Sequence, residues 1–305
     1  LTGNGAQSRV CTLSCRACYA NEQPAMVLSP DQLLTKEDWF AVIDTMRHIG
    51  VPMLNFTGGE PLSNPDIAAL VAHAAWHVTK LNTSGTLMTQ GMAEALVNAS
   101  LDGVQITLYS HNPAIHDRLV GKKGAFNETI IGIANALDAG LNVSVNTPLL
   151  KANADYDATL RFVHQLGIRN CSCSGLIPTG NAPGAITRGE TMESGELFEV
   201  LRQALFVGDS LGMEIAFTSP GWLSPEQLKS LGLNYPTCGA GLSNMAITPA
   251  GEVVPCQSWL HDAKGIGSIL RDYWGDIWDS PLAKKLRREN ANSVDCPLAT
   301  IGGGK

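Results

Sequence analysis

The feature that most limits how this chain can fold is an alternation of short β-rich runs with amphipathic helical patterns between residues 50 and 218. Runs of strand-forming composition occur at 53–56, 78–83, 104–109, 143–147, 170–176 and 213–217, each bounded by turn residues. Apolar residues at helical spacing fill 36–49, 65–75, 88–98, 127–139, 154–166 and 195–211. Gly50, Gly140, Gly167 and Gly212 stand just past four of those helices, where a left-handed residue lets the chain turn back. Such a βα repeat builds a parallel sheet with helices outside it, and functional groups collect at the carboxyl ends of its strands. A further strand is expected just before Cys11, which puts the Cys11 to Cys18 segment on one of those loops.

With 305 residues, of which 44% are hydrophobic, the chain can bury one large core with a small appendage. The repeat stops near residue 219, where Ser219-Pro220-Gly221 and then Tyr235-Pro236-Thr237 punctuate the chain. Runs 245–248 and 252–255 flank Pro249-Ala250-Gly251 and read as a β-hairpin. Two units are therefore expected, 1–218 and a small cysteine-bearing module over 219–305. The chain opens without Met and closes on Gly302-Gly303-Gly304-Lys305, which suggests that sequence is missing at both ends. A net charge of −7 offers no positive field for a phosphate backbone, so nucleic acid is not an expected partner. No apolar run is long enough to span a bilayer and no leader-like segment opens the chain. A soluble, cytoplasmic protein with no membrane partner is expected.

Eight cysteines would suit disulfides in a small secreted protein, but three of them crowd into eight residues of a long chain, a pattern that fits metal or cluster ligation better. In Cys11-Thr-Leu-Ser-Cys15-Arg-Ala-Cys18 the spacing lets three thiolates wrap three irons of a cubane, leaving the fourth iron free to chelate a small molecule. A zinc site with a distant fourth ligand, or unrelated thiols, remain alternative readings of these residues alone. A second motif, Asn55-Phe56-Thr57-Gly58-Gly59-Glu60-Pro61, follows the 53–56 run. Its glycines let backbone approach a ligand, and its carboxylate can accept from an ammonium group. Alone it reads as a strand-to-helix connection.

Together the two motifs resemble the radical S-adenosylmethionine (SAM) superfamily over residues 8 to 218. The resemblance implies a partial (β/α)6 TIM-like barrel, an α/β fold in which Cys11, Cys15 and Cys18 hold a 4Fe-4S cluster whose open iron binds the methionine end of SAM. It further implies that Gly58, Gly59 and Glu60 contact the methionine amine and that Tyr19 lies near the adenine. One electron, from a donor such as flavodoxin or ferredoxin, then releases a 5′-deoxyadenosyl radical that abstracts hydrogen from substrate. Looser matches are Ser84, in Thr83-Ser84-Gly85, with Ser110 and Arg118 as contacts to ribose and carboxylate. Asn146 and Asn153, at the end of the 143–147 run, are candidate hydrogen-bonding partners of cofactor or substrate, though asparagine is also an ordinary turn residue.

Cys238, Cys256 and Cys296 resemble the SPASM and twitch extensions of that superfamily, which hold auxiliary 4Fe-4S clusters. A full SPASM module has a dense late cysteine group, and here only Cys296 is present, so either further cysteines lie beyond Lys305 or this is the shorter twitch type with one auxiliary cluster and an unassigned fourth ligand. Buried thiols or zinc are the alternatives. Cys171 and Cys173 alternate along the 170–176 run and share a face. If that face lines the barrel interior, one of them is a candidate hydrogen donor or substrate contact; otherwise both are small core residues. Auxiliary-cluster members are often peptide maturases, so oxidation, crosslinking or epimerisation of a peptide or protein side chain is the first expectation. A small-molecule substrate, as in sugar dehydrogenation or cofactor assembly, and a non-catalytic iron-sulfur or zinc protein are the competing ones.

Overall fold

Six parallel strands lie side by side in strict chain order: β1 (Met53–Phe56), β2 (Val78–Thr83), β3 (Gly103–Thr107), β4 (Val143–Pro148), β5 (Asn170–Ser174) and β6 (Glu214–Phe217). The computed structural model describes residues 11–21, 28–219, 221–234, 237–261, 265–290 and 296–298, and the strand expected before Cys11 lies outside them. Sequential order with no reversal is the connectivity of a barrel wall, because every crossover steps in the same direction. The crossovers carry α2 (Ile67–His73), α3 (Gln90–Asn98), α4 (Pro113–Val120), α5 (Ala125–Asp138), α6 (Tyr156–Gln165), α7 (Ala182–Thr187) and α8 (Ser194–Leu211), and α1 (Lys36–His48) precedes β1. Of these, α7 and most of α4 were not legible as helices in the sequence. The left-handed turns are present where glycine ends a helix, with φ of 88° at Gly140 and 63° at Gly212.

Alternation along each strand decides which face is dry. Leu81 in β2, Val143 and Val145 in β4, and Cys171 and Cys173 in β5 join Trp39, Ile43, Leu160 and Leu201 of the helices in one buried apolar cluster. The intervening residues Lys80, Asn82, Ser144, Asn146, Ser172 and Ser174 line an internal cavity. A closed eight-stranded barrel fills its interior with branched apolar side chains. This partial barrel keeps a polar lumen instead, with Gln105 Nε2 donating to Ser172 Oγ (3.2 Å) and Ser172 Oγ donating to Asn146 Oδ1 (2.9 Å).

Beyond β6 a second, antiparallel sheet forms from β7 (Ala246–Ile247), β8 (Glu252–Val254) and β9 (Gly267–Ser268), the first two being the expected hairpin. Helices α9 (Pro225–Ser230), α10 (Trp274–Trp278) and α11 (Pro281–Asn290) complete this part. Ile247, Val253, Ile269 and Ile277 belong to the same buried cluster as the barrel helices, so the hydrophobic core runs unbroken from barrel to module. Leu34 N also donates to Pro249 O at 2.9 Å, tying the hairpin turn to the segment before α1. Among the described residues no helix is long and apolar enough to cross a membrane.

Candidate active site and its two cysteine groups

The segment carrying Cys11, Cys15 and Cys18 has no secondary structure of its own and is held by its neighbours' backbone. Ser14 N donates to Val120 O and Arg16 N to Leu119 O, both at 2.9 Å, at the carboxyl end of α4. From the loop after β5, Asn181 N donates to Cys18 O (2.8 Å) and Asn181 Nδ2 to Cys15 O (2.8 Å), while Thr179 Oγ1 donates to Tyr19 O (3.2 Å). Gly180, at φ 61°, lies so close that a Cβ there would stand 2.3 Å from Cys18 O, closer than atoms can approach. Asn181 and Gly180 were not assigned a role from sequence; their signal is only the turn-forming Gly-Asn pair after a strand. The loop's outer side is tied by the Arg16–Glu190 ion pair, and Arg188 Nε also reaches Glu190 at 3.0 Å. The Arg188 hydrogen bond and then Arg16 hold the Glu190 carboxyl at about 2.

The three thiols line one side of a cavity of about 1820 Å³. Burial, with the neighbouring thiols and Glu60 adding, pushes Cys11 up to about 11 and Cys15 higher still. Soft donors crowded so that Cys18 raises the cost of ionising Cys11 and both raise that of Cys15 fit a cationic iron site, which reverses that electrostatics once bound. Among the described residues no three His, Cys, Asp or Glu side chains meet as ligands of a single metal ion. A cubane gives each thiolate its own iron and asks for no such convergence.

Gly58 (φ 151°), Gly59 and Glu60 follow β1 and face the same cavity. Glu60 is only 1% exposed, and its carboxylate is taken up inside the chain. Oε1 accepts from Thr83 Oγ1 (2.5 Å) and Leu62 N (3.1 Å); Oε2 accepts from Ser84 N (2.9 Å) and Ser84 Oγ (2.6 Å). Four donors fill the acceptor sites of one carboxylate. Glu60 is thus a latch joining the ends of β1 and β2. Ser84 also reaches Thr86 (3.0 Å), whose hydroxyl pairs with Thr12 in the cysteine loop (2.9 Å).

The remaining candidates divide. Asn146 faces the cavity, and Tyr19 lines it beside Cys18 and Cys256. Burial first, then the Cys18 thiol, pushes the Tyr19 phenol up to about 12. Ser110 is fully buried and accepts from Asn112 N at 3.0 Å, and Arg118 is exposed on α4; neither lines the cavity. Asn153 spends its amide on Tyr109 O, Pro148 O and Leu150 N, so it organises the turn after β4. Of the two readings of Cys171 and Cys173, their placement favours small core residues: the strand alternation turns both into the apolar cluster, and burial raises Cys171 to about 12. Their neighbours Ser172 and Ser174 face the cavity in their place.

Cys238, Cys256 and Cys296 line the same cavity, with Cys256 near Tyr19. Cys256 follows β8, and burial, followed by the nearby Cys296 and Cys238 thiols, pushes it up to about 12. The turn after Cys238 is fixed by Gly241 N donating to Pro255 O (2.9 Å) and by Asn290 Nδ2 of α11 donating to Ala240 O (3.0 Å). Two groups of three thiols therefore line one chamber.

Comparison with known proteins agrees with this arrangement. Residues 7–163 match the family model described as the radical SAM superfamily, and residues 238–297 match that of an iron-sulfur cluster-binding domain, SPASM. An AdoMet-dependent heme synthase of Nitratidesulfovibrio vulgaris (strain Hildenborough) is 26% identical, covering 89% of this chain and 76% of that protein. The PqqA peptide cyclase of Ruegeria pomeroyi is 27% identical over 96% of this chain and 79% of its own. Among solved structures, Streptococcus suis SuiB bound to precursor peptide SuiA superposes with a TM-score of 0.72 at 18% identity, covering 97% of this chain and 70% of that one. Native anSMEcpe with bound AdoMet gives 0.72 at 14% identity, with coverage of 92% and 80%. The chain belongs to the radical SAM superfamily, and it is an enzyme whose cofactors are 4Fe-4S clusters and SAM.

Proposed function

We propose that this enzyme modifies a side chain of a peptide or protein held in the chamber between barrel and module. Cys11, Cys15 and Cys18 would hold the SAM-binding cluster, and Cys238, Cys256 and Cys296 an auxiliary one. When bound, these groups supply one-electron cleavage of SAM and a 5′-deoxyadenosyl radical that takes hydrogen from the substrate. The chain's own part is positional. Gly58 and Gly59 present backbone to the lumen, the Glu60 latch keeps that backbone in place, and Ile247 and Val253 of the module's hairpin add apolar wall to the chamber.

The composition of the chamber wall carries the choice of substrate. Among its described lining residues the charged side chains are Glu60, which is spent on internal hydrogen bonds, and Lys80. The rest of the polar surface is neutral amide and hydroxyl, including Asn55, Asn82, Gln105, Asn146, Ser172 and Asn244. Neutral donors and acceptors suit a peptide backbone, whereas a propionate-bearing tetrapyrrole needs several cations to neutralise it. A peptide cyclase and a peptide-bound structure among the similar proteins point the same way. The cytoplasm, with reduced thiols and low-potential flavodoxin or ferredoxin as electron donor, suits this chemistry.

The test is anaerobic reconstitution, reduction with dithionite, and measurement of 5′-deoxyadenosine. Release is expected to rise with peptides encoded beside the gene and to be unaffected by a propionate-bearing metalloporphyrin. Stimulation by the porphyrin alone would establish the small-molecule reading suggested by the heme synthase relatives.

A further inference from the structure

We propose that an acidic one-electron carrier protein docks on a basic groove directly behind the cysteine loop. The groove, about 430 Å³, is lined by Arg16, Gly180, Asn181, Gly184 and Arg188, none of which lines the large chamber. Its floor touches the loop: Asn181 donates to the carbonyls of Cys15 and Cys18, both at 2.8 Å. An electron entering here passes through one asparagine and one hydrogen bond to the residues that carry the thiols, without crossing the substrate chamber. One electron would leave the carrier and reduce the iron that Cys11, Cys15 and Cys18 would hold; no bond is made or broken at the groove.

The charges say what kind of surface fits. Arg16 and Arg188 share the single carboxylate of Glu190, so one positive charge is left uncompensated. Lys123, two residues beyond the Gly121 that packs on Ser14, is exposed and makes no ion pair among the described residues. At the start of α8, Lys151 offsets Glu196 at 3.6 Å and Glu193 has no cation beside it among the described residues, so Arg16, Arg188, Lys123 and Lys151 against Glu190, Glu193 and Glu196 leave a net +1. The chain as a whole carries −7, so an acidic partner is repelled over most of the surface and attracted only locally. Charge placed in this way selects orientation and association rate more than total affinity. Arg188 is half exposed and anchors no backbone of the cysteine loop, which makes it the residue to vary.

The inference rests on the family's need for one electron per cleavage and not on the identity of the substrate, so binding is measured without substrate. Reconstituted holoenzyme is titrated calorimetrically with FMN-loaded flavodoxin at about 50 and about 200 mM salt, a range over which screening shortens appreciably. Flavodoxin-driven formation of 5′-deoxyadenosine is then compared with dithionite-driven formation in the same variant. Affinity is expected to fall several-fold with salt. Arg188→Glu is expected to weaken it about tenfold and to lower the flavodoxin-to-dithionite ratio, with Arg188→Gln intermediate. Arg169→Glu, just before β5 at the other end of the sheet, is expected to match the parent protein. The proposal is overturned if Arg188→Glu binds flavodoxin like the parent, if Arg169→Glu loses as much, or if Arg188→Gln loses iron and both rates together. The last result would make the arginine a structural tie.

Discussion

Glu60→Gln separates a latch from a ligand. In the parent chain one carboxylate accepts from Leu62 N, Thr83 Oγ1, Ser84 N and Ser84 Oγ. An amide replaces one acceptor oxygen by an NH2 group. The hydroxyl on that side can rotate to accept from it, but the backbone N–H on the same side, Ser84 N or Leu62 N, cannot. One buried N–H is orphaned whichever way the amide is placed, at about 1–3 kcal/mol. Loss of charge assistance in the remaining bonds adds about 1–2 kcal/mol, and the easier desolvation of an amide offsets part of the total. A net destabilisation of about 3 kcal/mol follows, or about 5 °C in Tm for a chain of this size. The assay is urea and thermal unfolding of the anaerobic apoprotein, followed by circular dichroism, with SAM affinity of the reconstituted protein measured in parallel. A Glu60→Gln protein as stable as the parent, within about 0.5 kcal/mol, but unable to bind SAM would refute the latch and make Glu60 a direct cofactor contact.

Other outcomes follow from the same geometry. Gly180→Ala, whose Cβ would meet Cys18 O at 2.3 Å, is expected to keep the fold while sharply lowering iron bound at the first site, read by iron analysis and visible absorbance. Cys256→Ala is expected to lose about four irons per chain yet still release 5′-deoxyadenosine, whereas Cys15→Ala stops release altogether. Cys171 and Cys173, buried in the apolar cluster, are expected to resist iodoacetamide at pH 8 until the protein unfolds, as shown by peptide mass mapping. His116 is fully buried; desolvation depresses it from 6.5 to about 4, with Asp117 opposing weakly. Its folded pKa lies below the unfolded one, so its contribution is complete above pH 6.5 and is lost as pH falls towards 4, by about 3 kcal/mol. Unfolding curves across that range, compared with His116→Leu, check the sign.

Local sequence carried a large share of this protein. Strand runs, helix periods and glycine stops depend on neighbours in the chain, so all six parallel strands and the hairpin were legible before any packing was known. The spacing of Cys11, Cys15 and Cys18 was legible for the same reason, since three thiols within one loop need no tertiary information to be near each other. Tertiary structure alone decided which face of β5 is wet. Alternation says that Cys171 and Cys173 share a side, but only their burial in the apolar cluster, with Tyr156 of α6 against Cys173, shows that the side is dry and that Ser172 belongs to the chamber. It also decided three of the four donors to Glu60, Thr83 Oγ1, Ser84 N and Ser84 Oγ, which the pairing of β1 with β2 brings to it, whereas Leu62 N is a local neighbour. Asn181 and Gly180, over 160 residues from the cysteines they hold, and the meeting of Cys256 with Tyr19 are long-range contacts of the same kind. Periodicity reports which residues share a face; only the closed chain shows what that face meets.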